Sequence, residues 1–476
     1  MGNTVSKVGL IGLIAIVFGS MIGGGIFNIS QNMAAEASLA AVVISWIISG
    51  IGVGCLVYTF KTLSDNRPDI TSGIFGYAEA GFGRYVGFNS AWGYWLSAAL
   101  GNIAFAVMVN DALAKFFPVF QNHGWQTILL GSICIWAINF FSFTGSKNTN
   151  FLNTISTIAK FLALLIILGI IVIFFQYDFL SQDFWGKTYD LSGLGSQIKS
   201  TMLVTLWCFI GVEGAVVISN QAKKESDVGK ATVIGFLLAL AMYATLSILS
   251  FGIMTQPELA KLTDPSVGGV IAKVVGNWGQ IFVNISVLIS VLGGWIAWTI
   301  LVGEVPYDAA KQGVLPAFFK KENKNGAPTT ALMISSAIMQ LGMFAVVFAD
   351  NVYVASITIS GVMILPSYLL SSMYLYKASK NKGILKDQKK ARNTAIIIGI
   401  LSTLYCLWLI YAAGTSYLLL STIFYALGIP FYRLAHKDIR KKGGTIYTKY
   451  ERILEIIIIA LALLAIYMLA TNHVSF

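Results

Sequence analysis

The sequence predicts an all-α, polytopic membrane protein, and three observations carry that prediction. Of its 476 residues, 56% are hydrophobic and only 11% charged, whereas soluble domains carry about 25% charged residues. The mean hydropathy is +0.75. Apolar runs long enough to cross a hydrocarbon layer of about 30 Å recur from end to end. A transmembrane barrel would show alternating segments of about ten residues, and runs such as "EIIIIALALLAIYMLA" do not alternate.

Hydropathy and breakers place spans near residues 8–28, 40–60, 87–117, 126–144, 151–176, 199–219, 231–254, 280–303, 330–349, 352–377, 394–411, 415–432 and 453–471. Turn signals such as "NRPD" (66–69), "FFP" (116–118), "TQPE" (255–258) and "GAP" (326–328) separate them. The stretch "KVGLIGLIAIVFGSMIGGGIF" follows a single lysine and has no clear small-x-small cleavage site, so it reads as the first span rather than a signal peptide. The loops are too short for an extramembrane catalytic domain, which leaves one membrane domain.

The net charge of +11 does not imply nucleic acid, because of where the charge sits. With the N-terminus inside, the basic runs "KASKNKGILKDQKKAR" and "RLAHKDIRKKGG" are cytoplasmic, and exterior loops keep only Lys115, Lys187, Lys261 and Lys273. That is the positive-inside bias. Cys55, Cys134, Cys208 and Cys406 all fall in apolar runs and read as reduced core residues. His123, His436 and His473 lie far apart, with no metal-ligand spacing. No nucleophile–base pair, metal set or phosphate loop appears, so the reading contains no catalytic residue, no cofactor and no enzyme.

Two spans are interrupted. The first contains "GSMIGGGIFN", and three consecutive glycines cost a helix about 1 kcal/mol each relative to alanine. The sixth contains "WCFIGVEGA", with Gly211 and Gly214 around Glu213. These spans correspond if the chain is a five-plus-five inverted repeat (8–176 and 199–377) followed by peripheral helices (394–471), about 12–13 helices in all. Paired interrupted helices point to a midplane binding site in an inverted-repeat transporter. Backbone freed by a break is tolerated in a bilayer only where it faces protein or a watery cavity. A zwitterion matches it: the carboxylate suits the positive end of one half-helix and the ammonium suits free carbonyls.

At these residues the chain resembles the basic amino acid/polyamine antiporters of the amino acid–polyamine–organocation superfamily. The similarity covers almost the whole chain and is densest in "GSMIGGGIFN", "GYWLSAALGNIAFA", "TLWCFIGVEGA" and "LGGWIAWTILVGE". Within that family, "GSMIGGGIFN…QNMA" and "FGYAEAGFGRYVGFNSAWGYWLSAALGN" look most like the arginine/ornithine exchangers. The resemblance implies that the amides of Gly23, Gly24 and Gly25 hold a substrate carboxylate, with Ser20 and Ile22 beside the amine. Asn102 would face the distal end of the substrate. Trp207 and Trp295 would form an aromatic pair around its side chain, with Cys208 and Ile210 in the same stretch. Tyr94 matches an outer-gate aromatic, and Glu213 the acidic residue of the sixth span. The arginine/agmatine branch has Asn in place of Ser20 and Ser in place of Gly24, and Cys208 replaces a serine.

Ionisable groups deep in spans are functional hypotheses by default. Glu213 either stays protonated and bonds freed backbone, or changes protonation or partner during transport. Lys160 lies roughly 14 Å into the fifth span at 1.5 Å per residue, and reads as an ammonium bracing the first span's carbonyls or as a proton-coupling group. Asn110 and Asp111 sit near the exterior end of the third span as ordinary solvated polarity, or guide cations inward. Glu304 is expected to end the eighth span before Pro306. The expected function is exchange of a cationic amino acid for its metabolic product, arginine for ornithine. Alternatives are histidine/histamine, agmatine/putrescine or lysine/cadaverine exchange, and, in a different class, a channel or a non-transporting sensor. The expected partners are small amino acids or amines and the lipid bilayer, with a homodimer allowed. The expected place is a bacterial plasma membrane with a cytoplasmic N-terminus.

Overall fold

A computed structural model describes residues 7–70, 73–121, 124–219, 222–344 and 352–471. Helices occupy all thirteen expected spans. The first is Leu10–Met21, continued after a break by Gly25–Asn28 and Ile29–Ala34. Leu39–Asn66, Arg84–Ala114, Trp125–Ser142 and Ser146–Ile173 follow. The sixth is Leu194–Phe209, a break, and Gly214–Val217. Glu225–Ser250, Asn277–Lys311, Thr329–Phe344 and Val352–Lys380 complete the second set of five. Lys389–Ala413, Thr415–Ala435 and Lys449–Ala470 are the last three. Below, the near side of the bundle is the side from which Leu10 starts, and the far side is the opposite one.

Eleven of the described helices are long and apolar enough to cross a membrane; the interrupted sixth and the ninth, Thr329–Phe344, are shorter. The centre and the rim differ as the sequence implies. In their most apolar windows the third helix is 83% buried, against 17% for the thirteenth. Ile456, Leu463 and Tyr467 of the thirteenth face outward, as lipid-facing residues do.

Two features depart from the expected boundaries. The loops carry short helices, Ile74–Phe82 and Ser266–Val275 among them, which hydropathy alone does not separate from connecting segments. The eighth helix does not end at Glu304 but continues through Pro306 to Lys311. Proline removes the bond to the carbonyl four residues back. That carbonyl, on Val302, instead accepts the Ser335 hydroxyl at 3.3 Å. With the orphaned acceptor satisfied, the helix can pass the proline.

Polar side chains inside the bundle are paired across helices. Ser97 Oγ and Ser360 Oγ each donate to the other residue's carbonyl at 2.7 Å. One turn pair nearer the near side, Ser90 Oγ donates to Ser367 Oγ at 2.9 Å, and Ser367 Oγ to the Ser90 carbonyl at 3.0 Å. These bonds lock the third and tenth helices into one register. The four cysteines are free, and three of them are buried. His436 accompanies the Tyr432 carbonyl, whereas His123 and His473 lie outside the described residues. Among the described residues no group of three metal-ligating side chains occurs.

Candidate substrate site at the paired helix breaks

Both interrupted spans are broken, and the breaks touch. The first helix stops at Met21, and Ile22 leaves the helical region with φ −85° and ψ 77°. The sixth stops at Phe209, and Gly211 takes a φ of +105°. Ser20 Oγ lies 3.0 Å from the Gly211 carbonyl and donates to it, which ties one break to the other. Near the membrane edge, the Lys223 amide donates to the Val8 carbonyl at 2.8 Å and joins the same two segments again.

The three glycines of the first break all have ordinary negative φ, so they supply room rather than an unusual backbone angle. A Cβ on Gly24 would lie 2.2 Å from Met108 Sδ, and one on Gly25 would lie 2.9 Å from Trp207 Nε1. Side chains from the third and sixth helices therefore press directly on this backbone.

The freed backbone groups divide by type. The carbonyls are taken by protein: Lys160 Nζ donates to Gly19 and Ile22 at 2.8 and 2.6 Å. Trp298 Nε1 reaches the Ser20 carbonyl at 3.0 Å, Tyr243 Oη the Met21 carbonyl at 2.9 Å, and Ser290 Oγ the Gly23 carbonyl at 2.8 Å. By contrast, the amides of Gly24, Gly25 and Ile26, which head the short Gly25–Asn28 helix, have no protein acceptor among the described residues. A helix start with free amides is an anion site. The expectation that an ammonium meets free carbonyls of the first span needs correction, because five of those carbonyls already have donors. On the sixth span, the Ile210 carbonyl remains without a donor among the described residues.

The cleft between the breaks is lined by Ser20, Met21, the three glycines, Phe105, Trp207, Ile210 and Trp298. Its cavity is about 10 Å³, room for about one water molecule. Any molecule larger than water must therefore part Trp207, Trp298 and Phe105 to enter. Trp295 was expected here, but its ring packs 6.5 Å from Phe105 and does not line the cleft. Trp298, one turn further along, takes that place. Asn102 is fully buried near Trp207, and both its amide atoms lack a partner among the described residues; its neighbour Gly101 touches the Trp207 ring edge. Buried amides are rarely left unpaired, so Asn102 is equipped for a polar ligand. Cys208 is buried outside the cleft lining.

Glu213 and Tyr94 lie together, on the near side of the cleft. Tyr94 Oη donates to Glu213 Oε1 at 2.8 Å, Tyr368 Oη to Oε2 at 2.5 Å, and the Gly211 amide to Oε2 at 3.3 Å. Gly214, adjoining Glu213, packs on Ile16 and Ser20 of the first span's near-side half. Tyr94 thus closes the near side of the cleft. Three spans contribute to this closure, and Tyr368 was not identified from the sequence.

Trp298→Phe keeps an aromatic wall but removes the donor to the Ser20 carbonyl. Losing one buried hydrogen bond of this kind costs about 1–3 kcal/mol. The expected outcome is about a tenfold or greater fall in exchange rate, with Trp295→Phe less affected, read by initial-rate transport in vesicles.

Two broken helices that meet at one cleft inside a bundle of membrane-length apolar helices define the class, a membrane transporter. The fold itself has a solved counterpart. The solved structure of a Na+-coupled sialic acid symporter, in a substrate-bound outward-open state, superposes with a TM-score of 0.55 over 86% of this chain and 90% of that one, at 11% identity. The family model for amino acid permeases matches residues 8–429, and the chain belongs to that family. Among its relatives, the arginine/agmatine antiporter of Chlamydia trachomatis serovar L2 is 46% identical over 99% of this chain and 98% of its own length. That of Chlamydia abortus is 46% identical over 98% of each.

Proposed function

We propose that this permease exchanges arginine for ornithine through a single site at the helix breaks, opened alternately to the two sides of a bacterial plasma membrane. The observation that carries the reading is the pairing of free amides at Gly24–Ile26 with an aromatic slot, in a chain 46% identical to arginine/agmatine antiporters. The substrate carboxylate binds those amides. Its ammonium turns to the Ile210 carbonyl, and its cationic side chain lies against Trp207 and Trp298 toward Asn102. A cation on an aromatic face gains about 0.5–2 kcal/mol, so the slot favours a cation without a full buried counter-charge. Residues 8–176 and 199–377 act as the two repeats, with 394–471 peripheral. The basic loops favour an N-terminus in the cytoplasm.

Exchange rather than free uptake follows if the unloaded site resists the crossing. The Gly24–Ile26 amides and the Asn102 amide, unpaired among the described residues, are costly to enclose without a ligand. Robust efflux of preloaded substrate into substrate-free buffer would contradict this.

A second reading, arginine for agmatine, is favoured by the activity named for the Chlamydia relatives. Charge separates the two. Arginine against ornithine moves no net charge, whereas arginine against doubly protonated agmatine exports one positive charge per cycle. Proteoliposomes preloaded with ornithine or agmatine and given external arginine test both. The first reading predicts fast exchange against ornithine without a membrane potential. Exchange only against agmatine, with a potential that is negative inside, would replace it by the second.

A further inference from the structure

On the outer surface of the bundle, one face of the tenth helix is left open. Between residues 356 and 380 that helix is buried except at Pro366, Leu369, Leu370, Met373, Tyr376, Lys377 and Lys380. Residues three and four apart share one side of a helix, so these positions form a single stripe. The stripe floors two adjoining hollows of about 380 and 470 Å³. Leu454 and Ile458 of the thirteenth helix wall the first, Ile400 and Leu404 of the eleventh wall the second, and Phe82 lines both.

The chemistry changes along this groove. At its deep end Pro366, Leu369 and Leu370 offer only apolar surface. At its near-side end stand two ammonium groups. Lys377 Nζ donates to the Gly81 carbonyl at 2.6 Å, and Lys380 Nζ to Tyr376 Oη at 3.0 Å. An ammonium carries three donors, so each keeps two for another acceptor. No carboxylate pairs with either lysine among the described residues. From Pro366 to Lys380 the face runs roughly 21 Å at 1.5 Å per residue. One leaflet measured through its headgroups is about 20–22 Å thick.

We propose that this groove seats an anionic phospholipid of the near-side leaflet, with its phosphate on Lys377 and Lys380 and an acyl chain over Met373, Leu370 and Pro366. An apolar floor one leaflet long that ends in unpaired cations matches such a lipid in length and in charge. In the proposed topology the near side is cytoplasmic, where basic pockets between spans meet anionic headgroups. The groove also adjoins the near-side closure. Tyr368, on the buried side of the same helix, donates to Glu213. Lys377 holds the last turn of the Ile74–Phe82 helix, and Gly73 at the other end of that helix packs on Val216 and Val217 of the sixth span. A phosphate on Lys377 therefore braces the closed near side.

The test is lipid binding to the purified full chain in detergent, read by native mass spectrometry, with dioleoyl phosphatidylglycerol and dioleoyl phosphatidylcholine as probes. A lysine near a charged headgroup is worth roughly fivefold in affinity. Wild type should thus prefer phosphatidylglycerol by about twentyfold, Lys380→Gln by about fivefold, and the double variant Lys377→Gln, Lys380→Gln by no more than about twofold. Leu370→Trp, which fills the groove, should weaken both lipids. Phosphatidylglycerol should raise the melting temperature of wild type and not of the double variant, because a ligand of the folded state stabilises it. Lys380→Gln keeps the Lys377–Gly81 bond, so it reads the charge even where the double variant folds poorly. Equal binding of the two lipids by wild type, a preference that survives the double substitution, or binding indifferent to Leu370→Trp overturns the site. A dimer that Leu370→Trp splits would place a second copy in the groove and overturn it as well. Binding is measured without transport, so failure of the arginine–ornithine reading and failure of the lipid site are separate results.

Discussion

Lys160→Met is expected to abolish exchange while the protein still inserts in the membrane. The ammonium is fully buried and donates to the Gly19 and Ile22 carbonyls at 2.8 and 2.6 Å. Methionine fills similar space but donates nothing, and two carbonyls inside the bundle lose their partner. Each buried acceptor left unsatisfied costs about 1–3 kcal/mol. Together they are enough to reshape the break and lower exchange about 100-fold or more, since every 1.4 kcal/mol is about tenfold. Arginine-dependent ornithine release from vesicles, normalised to inserted protein, gives the answer. Normal exchange by this variant would remove Lys160 from the mechanism.

Gly211→Ala should be nearly as severe, by a different route. At φ +105° a side chain is strained wherever it stands, at about 1–3 kcal/mol. Here the added Cβ would also lie 2.6 Å from Ser20 Oγ and 2.8 Å from Ser20 Cβ. The same residue's carbonyl accepts from Ser20 and its amide donates to Glu213, so the clash pulls apart both the junction and the near-side closure. A melting temperature lowered by several degrees and loss of exchange are expected. Gly195→Ala is the control. It lies in the sixth helix, nothing among the described residues approaches its added Cβ within 4 Å, and alanine there should be neutral or stabilising by about 0.5–1 kcal/mol. Equal damage by both substitutions would mean that the sixth helix tolerates no alanine for reasons unrelated to the break.

The sequence made the breaks legible because their cause is local. Three glycines in a row and the Gly211–Glu213–Gly214 group disrupt a helix wherever they sit, and the thirteen apolar runs follow from bilayer thickness. Lys160 was legible for a similar reason: a cation that deep must find acceptors, and the nearest unwound carbonyls belong to the first span. What stayed hidden depends on how helices pack. Trp295 and Trp298 differ by three residues and share one helix face, so periodicity does not rank them. Phe105 in front of Trp295 makes the choice. Tyr368 is one of 20 tyrosines, and only the register fixed by the serine pairs of the third and tenth helices carries it to Glu213. The same holds for Pro306, which reads as a helix end until Ser335 is seen on the Val302 carbonyl. That Tyr94 meets Glu213 on the side where the first helix begins stays hidden too, because the level of Glu213 relative to Ser20 is a tertiary fact.

In the proposed mechanism, main-chain groups of two unwound stretches grip one substrate head group. The most direct measurement is an experimental structure of the protein with arginine bound. Carboxylate oxygens are expected about 3 Å from the amides of Gly24, Gly25 or Ile26, the ammonium at the Ile210 carbonyl, and the guanidinium between Trp207 and Trp298. Arginine bound away from the breaks, or held there by side chains alone with those amides turned aside, would contradict it.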